Sequence, residues 1–524
     1  MTESRLRTSW RLGLLLVGAL AFGIGAIVID RRPVGTMHDD AMYVILARSL
    51  ATGHGYRYLN LPGSPPATHF PPGYPALLAL ISWIAPPFPS NVAAFKMVNA
   101  VLLGVGGVLV ARLARMRVFE PGWALVLGAT TAISIPTLVL GSFVLSEPLF
   151  FAMLVGLLPA LESLIDRPSS ARRVLLMGAG IAACVLVRSN GIVLLPAALL
   201  PLAARRRWRD VGLIAVATVV CLLPWQLWTA AHSGALPAPL RGNYESYMSW
   251  WVRGLEAMGP AMVPQTLAMT LTESQAMFAA LSPVGGSVGH AVTLAAFTVL
   301  AAVGIRVTWR RLPVTLLFLA GYLAMVVLWP FPPLRFIWGV WPLLLLVFFA
   351  GARSAVNAVR LATADASQVA AHLASLPLVA ALVWAAAGFS MYEVRGAQGR
   401  WWSSLSRANT PRIVAAVEWV ANNTAPGDLI AAEDEGAVFL YTGRRAVPAL
   451  SFNVEHYLRN FSPEENANDG LAPILAAYPV RTVVVGTRRT VDIADYLVNL
   501  RPPRLTWRAD FPNGVAYSTV KRGP

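Results

Sequence analysis

Cysteine, acid and lysine are all scarce in this sequence. Its two cysteines, Cys184 and Cys221, lie in separate apolar runs without metal-ligand spacing. That excludes a disulfide framework and a cysteine-based zinc module, and leaves two buried thiols as the reading. Charged residues make up 13% of the 524, against about 25% in an ordinary soluble domain. Also missing are a phosphate loop, a G-x-G-x-x-G turn opening a helix after a strand, H-E-x-x-H and C-x-x-C. There is no internal repeat and no low-complexity tract.

Apolar residues fill the space, at 56% of the chain. Long apolar runs recur through the first 395 residues, each of roughly 17–23 residues, enough to cross about 30 Å of hydrocarbon. The formal charge is +16, carried almost entirely by Arg. A basic chain can signal nucleic acid, but these Arg residues sit in short clusters between apolar runs rather than on the face of a soluble segment. That placement is the positive-inside pattern of cytoplasmic loops.

With the N-terminus inside, the clusters order eleven spans. Span 1, Leu12 to Ile29, is read as uncleaved because it lacks a clear small-residue cleavage site. The next six are 95–113, 123–140, 148–164, 174–187, 192–204 and 211–230. Span 8 returns to Arg306, Arg310 and Arg311, span 9 reaches Pro330, and span 10 returns to Arg353 and Arg360. Span 11 runs from about Val369 to Met391. Every strong Arg cluster then falls on one side, so short loops there leave no room for a soluble nucleotide-sugar site. Two long loops, 31–91 and 232–290, fall on the other side. The first holds an amphipathic helix, Ala41 to Ala51, capped by Asp39 or Asp40, and an apolar stretch, Pro75 to Ala85, too short to span and read as interfacial or re-entrant.

After about Gly396, acids appear and apolar residues alternate with polar ones. Thr410-Pro411 predicts a helix start, 428–432 and 482–485 read as buried strands, 491–500 as a helix, and 505–510 with 515–520 as a terminal hairpin. The expected architecture is an all-α polytopic membrane domain, 1–395, followed by a small α/β extracytoplasmic domain, 396–524.

Charge near a bilayer is expensive, so charges away from the Arg clusters mark function. The outward face collects His38, Asp39, Asp40, His69, Glu147, Arg188, Arg241, Glu245 and Arg335. Asp39 or Asp40 is a general-base candidate, although a helix cap plus a solvated acid explains the pair equally well. Ser146-Glu147-Pro148 is fully accounted for as a helix start. Arg188 either snorkels or binds an anion. Arg335, on the side where basic residues are disfavoured, calls for a phosphate or carboxylate partner. Lys96 at the outer start of span 2 reads as snorkelling.

Taken in order, Asp39-Asp40, His69-Phe-Pro-Pro-Gly-Tyr74-Pro75, Ser146-Glu147-Pro148, Arg188-x-Asn190-Gly191, Leu223-Pro-Trp225, Arg335-Phe336, Val417-Glu-Trp419 and Tyr441-Thr-Gly-Arg444 resemble the bacterial GT-C glycosyltransferases. Within that superfamily the likeness is to protein O-mannosyltransferases and aminoarabinose-to-lipid A transferases. The resemblance spans nearly the whole chain. It implies a polyprenyl-phosphate sugar donor, a glycan, lipid or protein acceptor, and inverting displacement at the outer face of the plasma membrane. It makes Asp39 the base, with Asp40 standing where many relatives have Glu. It places Arg335, Arg188 and His69 on the leaving phosphate, and Tyr74, Asn190 and Arg241 among the substrate contacts. Glu147 would orient the acceptor or a metal. No cofactor is required on this reading, and a divalent metal is left open. A transporter or flippase of lipid-linked sugars would use the same phosphate contacts but calls for inverted repeats, which the sequence lacks. A non-catalytic assembly subunit is a third reading.

Overall fold

In the computed structural model, residues 3–364, 369–451, 453–459 and 461–520 are described. The chain is mostly helical. Helix α1 (Glu3–Ile27) leads into the first long loop, which carries α2 (Asp39–Ala51) and α3 (Gly73–Ile84). Then come α4 (Val92–Arg117), α5 (Pro121–Ile133), α6 (Ile135–Ser142), α7 (Glu147–Asp166), α8 (Ala171–Val187), α9 (Leu194–Ala204) and α10 (Trp208–His232). The second long loop folds into α11 (Arg241–Tyr244), α12 (Tyr247–Met258) and α13 (Met262–Ala280). Helices α14 (Gly286–Thr308), α15 (Pro313–Val327), α16 (Leu334–Gly339), α17 (Trp341–Ala364) and α18 (Val369–Gly399) complete the bundle.

Seven of these helices are long and apolar enough to cross a membrane, and the bent pair α5–α6 makes eight if it is one span. The multi-pass architecture is therefore plain. The remaining expected spans correspond to shorter helices: α8 has 17 residues, α9 has 11 and α15 has 15. Helix α3, of 12 residues, leaves Leu80, Trp83 and Ile84 exposed, an apolar surface on a helix too short to cross.

The span expected over 123–140 is broken. Its two halves meet at 46°, where Ser134 is extended and Pro136 opens α6. A break at membrane depth frees backbone groups that must find partners inside the protein. The Glu393 carboxylate accepts from the Ile135 N–H at 2.9 Å, and Asn99 Nδ2 donates to the Phe143 and Leu145 carbonyls at 2.7 and 3.3 Å. Buried Glu162 does the same for α15, accepting from the N–H and hydroxyl of Thr315.

The Arg clusters converge at one end of the bundle. Arg117 pairs with Asp166 at 2.5 Å and donates to the Glu162 carbonyl, Arg205 also reaches Asp166, and Arg353 meets Val118 and Glu120. Glu147, the first residue of α7, lies at the opposite end of this 20-residue helix, about 30 Å away.

The C-terminal segment forms α19 (Ser404–Asn423), α20 (Glu435–Thr442), α21 (Glu455–Leu458), α22 (Pro463–Asn466), α23 (Ala472–Ala477) and α24 (Arg488–Asn499) around a five-stranded mixed sheet. Strands β1 (Leu429–Ala432), β2 (Ala446–Pro448), β3 (Val480–Val485), β4 (Leu505–Phe511) and β5 (Gly514–Thr519) stand in the order β2-β1-β3-β5-β4. The first three are parallel, and β3, β5 and β4 antiparallel. The helix expected to start at Thr410 starts at Ser404, with Pro411 inside it; an alternative start upstream overrode the Thr-Pro signal.

This segment sits directly on the first loop. Gly35 and Gly436 face α20 and α2 so closely that a Cβ would meet Ala437, or Met42 and Ala41, at 2.5–2.8 Å. The hydroxyl of Tyr441 accepts from Val34 N–H, and the Ala446 N–H donates to the Asn60 carbonyl.

Candidate active site

Helix α2 starts at Asp39, but neither acid caps it. His38 holds the N-cap position at φ 57° without a side-chain cap bond, an uncommon conformation for a residue with a Cβ. The two carboxylates then separate. Asp40 is buried and accepts from the N–H groups of Met37 and Ala41. Burial raises its pKa above the usual range, opposed by those backbone donors and by Lys96. Asp39 turns the other way and accepts from Arg335 Nη1 at 2.7 Å. Burial alone would push its pKa up, but the Arg335 guanidinium, with His38 and His69 beside it, holds it below the ordinary 3.8.

Arg335 reaches this point from short α16 and bridges two acids. Its Nε donates to Glu147 Oε1 at 2.7 Å. Arg188 Nη1, from the junction after α8, meets the same oxygen at 2.9 Å and Ser146 Oγ at 3.0 Å. Tyr43 shares a hydrogen bond with Ser146 Oγ. Two guanidinia and two carboxylates thus interlock, with Glu147 only 2% exposed and Asp39 and Arg335 each 24%. Glu147 Oε2 is buried and has no hydrogen-bond partner among the described residues. Charge-assisted bonds of this kind are short and strong, and removing one member of a buried pair strands the others.

A cavity of about 490 Å³ opens beside this quartet. Asp39, Tyr43, Arg188, Ser189, Asn190 and Arg335 form its polar wall. Ile192, Met248, Trp251, Met325, Leu328 and Trp329 are among the apolar residues that complete its lining. A charged cluster within a mostly apolar lining suits an amphiphile with an anionic head.

Of the other expected site residues, Asn190 alone belongs to this lining. Glu147 lies behind it. Asn190 lines it and donates to the Tyr322 hydroxyl at 3.3 Å. Tyr74 is fully buried and donates to Asn99 Oδ1 at 3.3 Å, so it braces the residue that holds the strand of backbone before Glu147. His69 is wedged against Phe70 and Tyr247, and its Nδ1–H donates to the Glu245 carbonyl. Burial pushes its pKa down to about 4. The ring is neutral near pH 7 and so brings no positive charge towards a phosphate. Arg241 is not brought to the cavity: its Nε faces the Leu236 carbonyl at 3.5 Å. Lys96 does not snorkel but is buried, bonding the Asp30 and Arg32 carbonyls. Sequence reasoning missed Tyr43, Tyr247, Trp251 and Trp329; a Tyr or Trp in an apolar stretch carries no signal separating a cavity wall from packing. Among the described residues no three His, Cys, Asp or Glu side chains gather around a point that would suit a metal.

The site thus belongs to a multi-pass helical domain, with its ionic centre at one helix end, followed by a small α/β domain. The sequence matches no family model and none of the curated proteins. Solved structures do share the fold. ArnT from Cupriavidus metallidurans, bound to undecaprenyl phosphate, superposes over 99% of each chain with TM-score 0.53 and 12% identity. The archaeal oligosaccharyltransferase AglB from Archaeoglobus fulgidus, in complex with an inhibitory peptide and a dolichol-phosphate, covers 92% of this chain and 70% of its own at 0.53 and 14%. The Archaeoglobus fulgidus oligosaccharyltransferase with Zn and sulfate covers 97% and 73% at 0.57 and 14%.

Proposed function

We propose that this chain is a glycosyltransferase that moves a sugar from a polyprenyl-phosphate carrier to a hydroxyl of an envelope glycan, lipid or protein. Residues 1–395 are the catalytic membrane domain and 396–524 the extracytoplasmic domain, with the site on the non-cytoplasmic side of the plasma membrane. The observation that carries this reading is Arg335 held between Asp39 and Glu147 in a cavity whose lining is otherwise mostly apolar. The convergence of the Arg clusters at the other end of α7 supports the orientation, and the shared fold of ArnT and AglB supports the donor class.

The carrier tail lies along Ile192, Met325 and Trp329, and its phosphate sits at Arg335 and Arg188. The acceptor hydroxyl loses its proton to Asp39 as its oxygen forms a bond to the anomeric carbon. The bond from that carbon to the phosphate oxygen breaks on the opposite side, so the configuration inverts. The leaving phosphate takes the electron pair and its charge is met by the two guanidinia, which need no rearrangement in a preorganised site. The sugar phosphate brings its own activation, so no nucleotide is consumed.

Asp39→Asn removes the proton acceptor while keeping the side chain's shape. Turnover of a polyprenyl-phosphate sugar, followed by mass spectrometry of lipid-linked sugars, should fall about 10²–10⁴-fold while membrane insertion stays normal. Unchanged turnover would take Asp39 out of the reaction.

A further inference from the structure

The Arg-rich end of the bundle contains a second cavity, of about 530 Å³, that the proposed chemistry does not use. It is built where three helix junctions meet: the end of α4, the end of α7, and the α14–α15 connection. Arg117, Arg167, Arg310 and Arg311 line it, with Asp166 as its sole carboxylate. Asp166 is already shared by Arg117 and Arg205, so it offers the cavity little negative charge.

Two of the four guanidinia are fixed. Arg117 donates to the carbonyls of Glu162 and Arg311, and Arg311 donates back to the Arg117 carbonyl, so the two loops lace together across the rim. The other two, those of Arg167 and Arg310, belong to exposed side chains, and neither guanidinium has a hydrogen-bond or ion-pair partner among the described residues. Like charges gathered around a hollow repel unless an anion is present. The bland reading is ordinary positive-inside bias, in which guanidinia are simply solvated. That reading does not require a laced rim around a hollow with uncompensated charge.

We propose that this cavity binds the phosphate headgroup of an anionic phospholipid from the cytoplasmic leaflet. The lining sits level with the ends of apolar helices α4 and α7, the depth at which lipid phosphates lie. Guanidinium groups match phosphate oxygens in bidentate geometry, and basic pockets between spans on this side suit anionic headgroups. The cavity stands on Asp166, while Glu147 of the transfer site begins the same helix about 30 Å away. A bound headgroup therefore clamps α7, α4 and α15 at the end remote from the reaction.

The test uses the full-length protein purified in neutral detergent, with phosphatidylglycerol, phosphatidylcholine or inorganic phosphate added, and reads bound lipid by native mass spectrometry alongside the thermal midpoint. Phosphatidylglycerol should remain bound and raise the midpoint, and phosphatidylcholine should do neither. Arg167→Gln with Arg310→Gln should weaken apparent phosphatidylglycerol affinity about tenfold or more. Arg172→Gln with Arg173→Gln, an equal charge change on the same face but outside the cavity, should leave it in place. Equal retention of both lipids, or equal loss in the two double variants, would overturn the site. An equal midpoint rise with inorganic phosphate would overturn the lipid and assign the cavity to a free anion. No turnover is measured, so the outcome does not depend on the proposed transfer reaction.

Discussion

The ionic quartet sets what each of its members does alone. Asp39 is kept ionised by Arg335, so its base form persists through the neutral range and is lost only as pH falls through a value below 3.8. Arg335→Gln removes the opposing charge and leaves burial to act, so Asp39 rises. The acid limb of kcat/KM should move to higher pH in that variant, and a pH profile beside wild type checks it. His69 is shifted in the same direction, its folded pKa of about 4 lying below the ordinary 6.5. The unfolded chain binds a proton that the native state refuses, so stability is lost as pH falls from 6.5 towards 4. His69→Gln should flatten that part of the melting-temperature profile; a variant as acid-sensitive as wild type over that window would contradict the assignment. Charge economy made Asp39, Arg188 and Arg335 readable in the sequence, because a charged residue on the wrong side of a membrane needs a partner. It did not reveal that Asp40 would point away, since adjacent residues on a helix start differ by rotation that only packing decides. Nor did it place Tyr74 or Arg241, whose residue types suit a substrate and a buried brace equally.

Among the elements, the broken helix α5–α6 shapes the site most. It ends in the stretch from Phe143 to Ser146, whose carbonyls at Phe143 and Leu145 are held by Asn99. Asn99→Ala would leave those carbonyls and the Tyr74 hydroxyl without their partner, at about 1–3 kcal/mol for a buried unsatisfied group. A lowered thermal midpoint, with turnover falling as Glu147 loses its fixed position, is the expected result. The break was half visible: Pro136 disfavours an unbroken helix, yet an apolar run of that length satisfies the spanning rule by itself. What the sequence could not show was the satisfaction of the freed backbone by Glu393, 258 residues away. The terminal hairpin and strands β1 and β3 were readable from alternation and apolar runs. Helix α20 and strand β2 were not, being 8 and 3 residues long.

At the level of the whole molecule, the C-terminal domain and the first loop share buried polar groups. Glu435 is 1% exposed and accepts from Tyr244, which accepts from Asn60, while His38 lies 3.8 Å from the same carboxylate. The domain is therefore fastened to the loop that carries Asp39. This arrangement and the Arg clusters predict a single orientation. In a background with Cys184 and Cys221 replaced by Ala, Arg488→Cys should react with a membrane-impermeant maleimide on intact cells. Arg310→Cys should react only after the membrane is opened. The reverse pattern would invert the topology.

Helix α7 is pinned at both ends, by Arg188 and Arg335 at Glu147 and by Arg117 and Arg205 at Asp166. A rod nailed at both ends can neither tilt nor slide on its own, so it answers a change in bilayer thickness only together with the neighbours that hold it. Mismatch against about 30 Å of hydrocarbon, at fractions of a kcal/mol per Å, is then borne by the bundle as one body and by the lipids around it.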